Sequence, residues 1–120
     1  SEIETVKEEK IPIRKFIDKE KSYLIGNDSS WNSVAYMFDE NVQSIIKDFS
    51  EHNVPMPDYL TTSIKHNCLS GDVVMTWVEK NVIVFAETIS ELDANVCEKK
   101  GWIAFELYDI NSYRIKEALK

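Results

Sequence analysis

Between Asp72 and Thr88 the chain reads DVVMTWVEKNVIVFAET. Two dense apolar runs, Val73–Val78 and Val82–Ala86, flank the polar break Glu79-Lys80-Asn81. β-Branched and aromatic residues at this density suit strands with at least one buried face. Asn tolerates the left-handed backbone that a tight turn needs, so residues 72–88 are expected to form a hairpin.

The period changes between Trp31 and Phe49. There Trp31, Val34, Ala35, Phe38, Val42, Ile45, Ile46 and Phe49 make one apolar stripe at helical spacing, with Asp39, Glu40, Lys47, Asp48 and Glu51 off it. One helix of about six turns fits, and so does a break at which Asp39 caps a second helix. Val34–Phe38 is also strand-friendly and could pair with Tyr23–Ile25. Continuation of the stripe in phase beyond Phe38 favours the helix.

Upstream, Ser1–Lys10 is mostly charged and is expected to be a frayed arm or a short solvated helix. Ile11–Ile17 alternates like a strand, which Pro12 confines to an edge or a strand start. Ser22–Ile25 is a second short strand candidate. Downstream, Pro55 and Pro57 end the long helix, and Asp58 is placed to cap a short helix to about His66, with Leu60 and Ile64 inward. Past the hairpin, Thr88 or Ser90 can cap a helix with Ile89, Leu92 and Val96 on one face. Lys99 and Lys100 suit its negative end, and Gly101 supplies a left-handed stop.

Trp102–Tyr108 alternates as a further strand, and Asp109 or Asn111 opens a last helix. If Ser90–Lys100 is a crossover, Trp102–Tyr108 lies parallel to Val82–Glu87. The pattern as a whole predicts a single α+β domain over residues 11–120. Its mixed sheet is built around the hairpin 72–88, with helices packed mainly on one face.

A chain of 120 residues is long enough to bury a core without disulfides or metals. No apolar run approaches the ~20 residues needed to cross a bilayer, and no signal-peptide pattern opens the chain, so no membrane partner is expected. Cys68 and Cys97 belong to no CxxC or CxH pattern and are expected to be reduced, mostly buried thiols in a cytoplasmic protein.

Charge narrows the partner more than the fold. The 21 acidic residues outnumber the 14 basic ones, a net −7. Such a surface repels phosphate backbones, which makes nucleic acid a poor partner. A basic protein surface is the better match if the carboxylates gather on one face.

Catalytic patterns are sparse. His66-Asn67-Cys68 sets an imidazole and a thiol two positions apart, enough to suggest a metal-dependent hydrolase but too few ligands to make a site. One kind of metal-dependent nuclease pairs an acid at a strand start with Glu-x-Lys on the next strand. Asp72 fits the first part, but Glu79-Lys80 has the wrong spacing, and Glu98-Lys99-Lys100 falls at a helix end. Gly26, Gly71 and Gly101 are isolated, so no phosphate cradle is expected. Glu87 and Glu106 could face each other on neighbouring strands as an acid/base pair, although an exposed strand face explains them more simply.

A helix through Asn41–Glu51, a proline turn, a helix Asp58–His66 and the hairpin would follow the order of a winged helix-turn-helix. Its reading surfaces, however, offer only Lys65, His66 and Lys80 as cationic or titratable groups.

Interfaces favour exposed aromatics. Tyr36, Met37 and Tyr59 lie off or beside the inward stripes and adjoin Asp39, Glu40 and Asp58. Tyr36 and Met37 either pack against the N-terminal strands or belong to a patch for a basic partner. The expectation is therefore a small acidic intracellular protein-binding protein of the inhibitor, antitoxin, immunity or phage counter-defence kind. It would have no catalytic residues, cofactor or metal, and Tyr36, Asp39, Glu40, Asp58 and Tyr59 would make its contact surface.

Overall fold

Asn81 adopts φ 53° and turns the chain between β2 (Val73–Trp77) and β3 (Val82–Phe85), all of whose residues are buried. The hairpin expected over residues 72–88 is present. A computed structural model of the chain describes residues 11–15, 29–64 and 68–120. The expected arm Ser1–Lys10 and the strand candidate Ser22–Ile25 lie outside the described residues.

Four strands form one sheet in the order β1-β2-β3-β4. β2 and β3 are antiparallel, with Met75 opposite Val84 and Trp77 opposite Val82; the register shifts between Val73 and Met75. That irregularity lets Val74 and Met75 both reach the same apolar cluster. After β3, the helix α3 (Glu91–Lys100) returns the chain so that β4 (Ile103–Glu106) pairs parallel to β3. A parallel neighbour needs such a crossover. Ser90 caps α3 by accepting from the Asp93 N–H, and Gly101 ends it at φ 73°. The result is an α+β domain with a mixed sheet.

The fourth strand, β1 (Tyr59–Ile64), replaces the short helix expected over Asp58–His66. It runs antiparallel to β2, with Leu60 opposite Met75 and Ile64 opposite Val73. The expected Asp58 cap is a strand entry instead, its N–H donating to the Thr76 carbonyl at 2.9 Å. A β-branched Thr-Thr-Ser-Ile run, entered from proline-restricted extended backbone, satisfies its hydrogen bonds better on an open sheet edge than in two helical turns.

The long stripe divides at Phe38–Asp39. α1 (Trp31–Val34) runs into a 3-10 turn (Ala35–Met37), and α2 (Glu40–Glu51) starts afresh with Asp39 as its cap. Phase is kept across the break, so Trp31, Val34, Phe38, Val42, Ile46 and Phe49 are all buried. Val34–Phe38 holds no strand. The last helix, α4 (Ser112–Ala118), is capped by Asn111 and buries Ile115. α1, α2 and α4 contribute to one cluster, with Leu60, Val74, Met75, Trp77, Val82 and Val84 from the sheet. α3 contributes Cys97 to a second cluster with Val73, Ile83 and Phe85, closed by Trp102, Leu69 and Ile13.

Two further expectations are corrected. Ile11–Ile17 does not begin as a strand: Ile13–Lys15 is a 3-10 turn, and residues 16–17 lie outside the described set. It is tied to distant segments, from the Ile13 N–H to Asn81 Oδ1 (3.1 Å), from the Ile11 N–H to the Lys100 carbonyl (3.1 Å) and from the Trp102 indole to the Ile11 carbonyl (2.6 Å). On α3, Leu92 is 75% exposed, whereas Asp93 and Cys97 are the buried positions. Ile89 and Val96 do pack against the second cluster, so the expected face holds at two of its three positions and fails at Leu92, the buried Asp93 carboxylate taking the inward place instead.

Candidate functional site

The α1–α2 break builds one wall of a hollow at the end of the sheet. The Phe38 N–H donates to the Ala35 carbonyl at 3.1 Å, the Gln43 amide donates to the Phe38 carbonyl at 2.8 Å, and Asp39 Oδ1 accepts from the Val42 N–H at 3.1 Å. These bonds hold Asp39 outward at the start of α2. Opposite stand the residues just past β3, where the Ala86 N–H donates to the Asp72 carbonyl at 2.9 Å. A 3-10 turn, Leu107–Asp109, closes the third side.

The hollow is open to solvent and has a volume of about 280 Å³. Phe38, Val42, Val74 and Leu107, all buried in the first cluster, make its floor. Its rim carries Met37, Asp39, Glu87 and Tyr108. Among the described residues that line it are two carboxylates and no basic side chain. Tyr36, next to the rim in sequence, is 80% exposed, and Tyr108 is 63% exposed. Both rings are left in water rather than packed at the edge of the core.

Of the five residues expected to form a contact surface, Tyr36, Asp39 and Glu40 fall together at this break. Asp58 and Tyr59 do not join them. Asp58 Oδ2 accepts from the Val78 N–H at 2.7 Å, beside the hairpin turn, about 13 Å along β2 from Val74 at the usual rise of a strand. Tyr59 is half-buried and packs against the second cluster on the other face of the sheet. Two rim residues take their place. Glu87 was in view only as a partner for Glu106, and Tyr108 only as the end of a strand. Glu106 is not that partner: it stands opposite Phe85 and accepts from the Ile89 N–H at 2.7 Å. An aromatic at the polar end of an alternating run was the one signal for Tyr108 in the sequence.

A larger hollow of about 420 Å³ lies between the end of α2 and α4, lined by His52, Ser112, Tyr113, Lys116, Glu117 and Lys120. Its polar groups serve the fold. Lys116 Nζ donates to the His52 carbonyl at 2.9 Å, and Lys120 pairs with Glu117. Asp48 accepts from the Ser112 N–H (2.7 Å) and hydroxyl (3.1 Å) and lies 3.0 Å from His52 Nδ1. These bonds dock α4 onto α2, which explains the cluster without chemistry.

Asp93 plays a comparable part on the other face. Its Oδ1 accepts from the Ser70 N–H (3.0 Å) and hydroxyl (3.1 Å), and its Oδ2 from the Gly71 N–H (2.8 Å). Burial pushes its carboxyl upward, but the hydrogen bonds from Ser70, Gly71 and Ser90 outweigh it and hold the group below the usual carboxylate range. Gly71 is fitted to this contact, since a Cβ there would come within 3.0 Å of Asp93 Oδ2.

The other patterns do not assemble. Cys68 and Cys97 are free, and desolvation by burial raises both thiols, Cys97 to about 12. Neither is poised as a thiolate. His66 lies outside the described residues. Among the described residues no group of three His, Cys, Asp or Glu side chains is placed to hold a metal. Asp72 does head β2, but β3 facing it is Val-Ile-Val-Phe, without acid or amine. Glu98-Lys99-Lys100 is the last turn of α3. A winged helix-turn-helix loses its second helix to β1. Among the described residues no helix is long and apolar enough to cross a membrane.

Searches of protein-family models, curated proteins and solved structures return no match to this chain.

Proposed function

We propose that this is a small acidic intracellular protein-binding protein, of the inhibitor, immunity or counter-defence kind, that docks on and covers a basic surface of another protein. The observation that carries the reading is the hollow at the α1–α2 break, where Asp39, Glu87 and exposed Tyr108 rim an apolar floor, with exposed Tyr36 next in sequence to its rim residue Met37. Apolar floor, aromatic rim and unbalanced negative charge are the ingredients of an interface whose charges steer encounter and whose rings supply contact energy. The net charge of −7 adds a long-range attraction toward a cationic partner that salt screens within about 10 Å at 0.1 M.

The test is capture from the source lysate with the wild-type chain and with a Tyr36→Ala/Glu87→Gln/Tyr108→Ala variant, followed by association kinetics with the partner identified. A partner retained by wild type and lost by the variant, with an association rate falling at least about tenfold from 50 to 500 mM salt, supports the proposal. An association rate that is flat across that range overturns electrostatic docking.

A further inference from the structure

We infer that the hollow between Asp39, Glu87 and Tyr108 receives one arginine side chain of the partner, a refinement that rests on the docking proposal above. A hollow of about 280 Å³ has room for several waters, each occupying about 30 Å³ of liquid, and so for a single side chain. Its occupant must satisfy two requirements together. The floor of Phe38, Val42, Val74 and Leu107 asks for an apolar body, and the rim of Asp39 and Glu87 asks for a cationic end with donors. An apolar ligand would strip water from two carboxylates without replacing the lost hydrogen bonds. A small hydrated cation would leave the floor wet.

Long basic side chains combine a methylene stem with a charged head. Between the two, Tyr108 selects arginine. The guanidinium is planar, stacks on an aromatic face and donates in several directions to more than one carboxylate, whereas an ammonium is a compact, strongly hydrated point charge. The protein already uses this chemistry next door. The Arg114 guanidinium lies 5.3 Å from the centre of the Phe105 ring and donates to the Asp109 carbonyl, with Asp109 Oδ2 at 3.4 Å. Arg114 is thereby held in its own site, and among the described residues no basic side chain of the chain itself lines the hollow.

The experiment is a ¹H–¹⁵N NMR titration of the full chain with capped Gly-Gly-Xaa-Gly-Gly peptides in which Xaa is arginine, lysine or citrulline, the last a neutral mimic of arginine. The arginine peptide is expected to shift the amides of Met37, Asp39, Val42, Glu87 and Tyr108 saturably, with Kd on the order of millimolar for a single side chain. Lysine should bind at least about threefold more weakly and citrulline at least about tenfold, the latter corresponding to the loss of roughly one charge-assisted contact. Glu87→Gln should weaken the arginine peptide, and Glu98→Gln, the same charge change at the far end of α3, should not.

Equal binding of lysine and arginine, shifts scattered over the surface, or indifference to Glu87→Gln each overturn the assignment. An octa-arginine peptide separates this failure from that of the parent proposal. Salt-sensitive binding that leaves the hollow unshifted keeps the docking reading and removes the arginine site. An octa-arginine peptide that does not bind at low salt removes both.

Discussion

Replacing Asp93 by asparagine tests what fixes α3 against the sheet. The Asp93 carboxylate is almost wholly buried and accepts from the Ser70 N–H, the Ser70 hydroxyl and the Gly71 N–H. Hydrogen bonds to a charged acceptor contribute about 1.5–3 kcal/mol each, and a buried donor left alone costs a similar amount. Asparagine keeps one acceptor oxygen for Ser70 but turns an NH₂ toward the Gly71 N–H, so that bond is lost. The expected loss at pH 7 is about 2–3 kcal/mol, and Asp93→Ala should lose about 3–4 kcal/mol.

Urea unfolding followed by tryptophan fluorescence measures this, with an unchanged slope indicating that the denatured state is unaltered. The pH dependence carries a definite sign. Because the folded carboxyl lies below its ordinary value, its stabilisation is complete only from about pH 6 upward, where the unfolded group, of ordinary value about 3.9, is fully ionised. It is lost as pH falls through the lower folded value. The gap between wild type and Asp93→Asn should therefore narrow toward pH 3, other carboxylates cancelling in the difference. A gap below about 0.5 kcal/mol at pH 7, or one that stays constant to pH 3, would refute the assignment.

Thr76 is fully buried and its hydroxyl has no hydrogen-bond partner among the described residues; the near-isosteric Thr76→Val should raise stability by about 1 kcal/mol, read as a higher melting temperature. At Asn81, Gly keeps the positive φ but loses the bond to the Ile13 N–H, for about 1 kcal/mol. Asn81→Val adds backbone strain and should cost about 2–3 kcal/mol in all, so equal melting temperatures for the two variants would contradict the turn geometry. Cys97, buried with its thiol raised to about 12, should resist a thiol reagent at pH 8 until the chain unfolds. Half-buried Cys68 should react slowly in the native protein, and mass spectrometry of a labelled digest distinguishes the two.

Elements with local signals were legible from residues alone. The hairpin turn at Asn81, the Ser90 cap, the Gly101 stop and the parallel return of β4 each rest on a few neighbouring side chains whose backbone preferences agree. Non-local pairing hid the rest. Leu60 and Ile64 suit a helix spacing as well as a strand, and only β2 alongside decides between them. Of the face expected for α3, Ile89 and Val96 point inward as their spacing suggests, but Leu92 does not, because the inward place goes to a buried carboxylate reaching a loop more than twenty residues away, a contact with no periodicity. The hollow escaped for the same reason. Asp39, Val74, Glu87 and Tyr108 come from separate segments, and only Tyr36, Asp39 and Glu40 lie close enough in the chain to be grouped beforehand.

β3 is flanked by a strand on each side and buried on both faces. A helix that lifts away bares only the side chains on its own face, and the backbone of Val82–Phe85 stays paired with β2 and β4. Its amide protons, donated in the plane of the sheet to β2 and β4, should therefore exchange with deuterium only when the whole molecule opens. Their exchange rate becomes a built-in gauge of global stability, against which fraying of the outer strands can be measured.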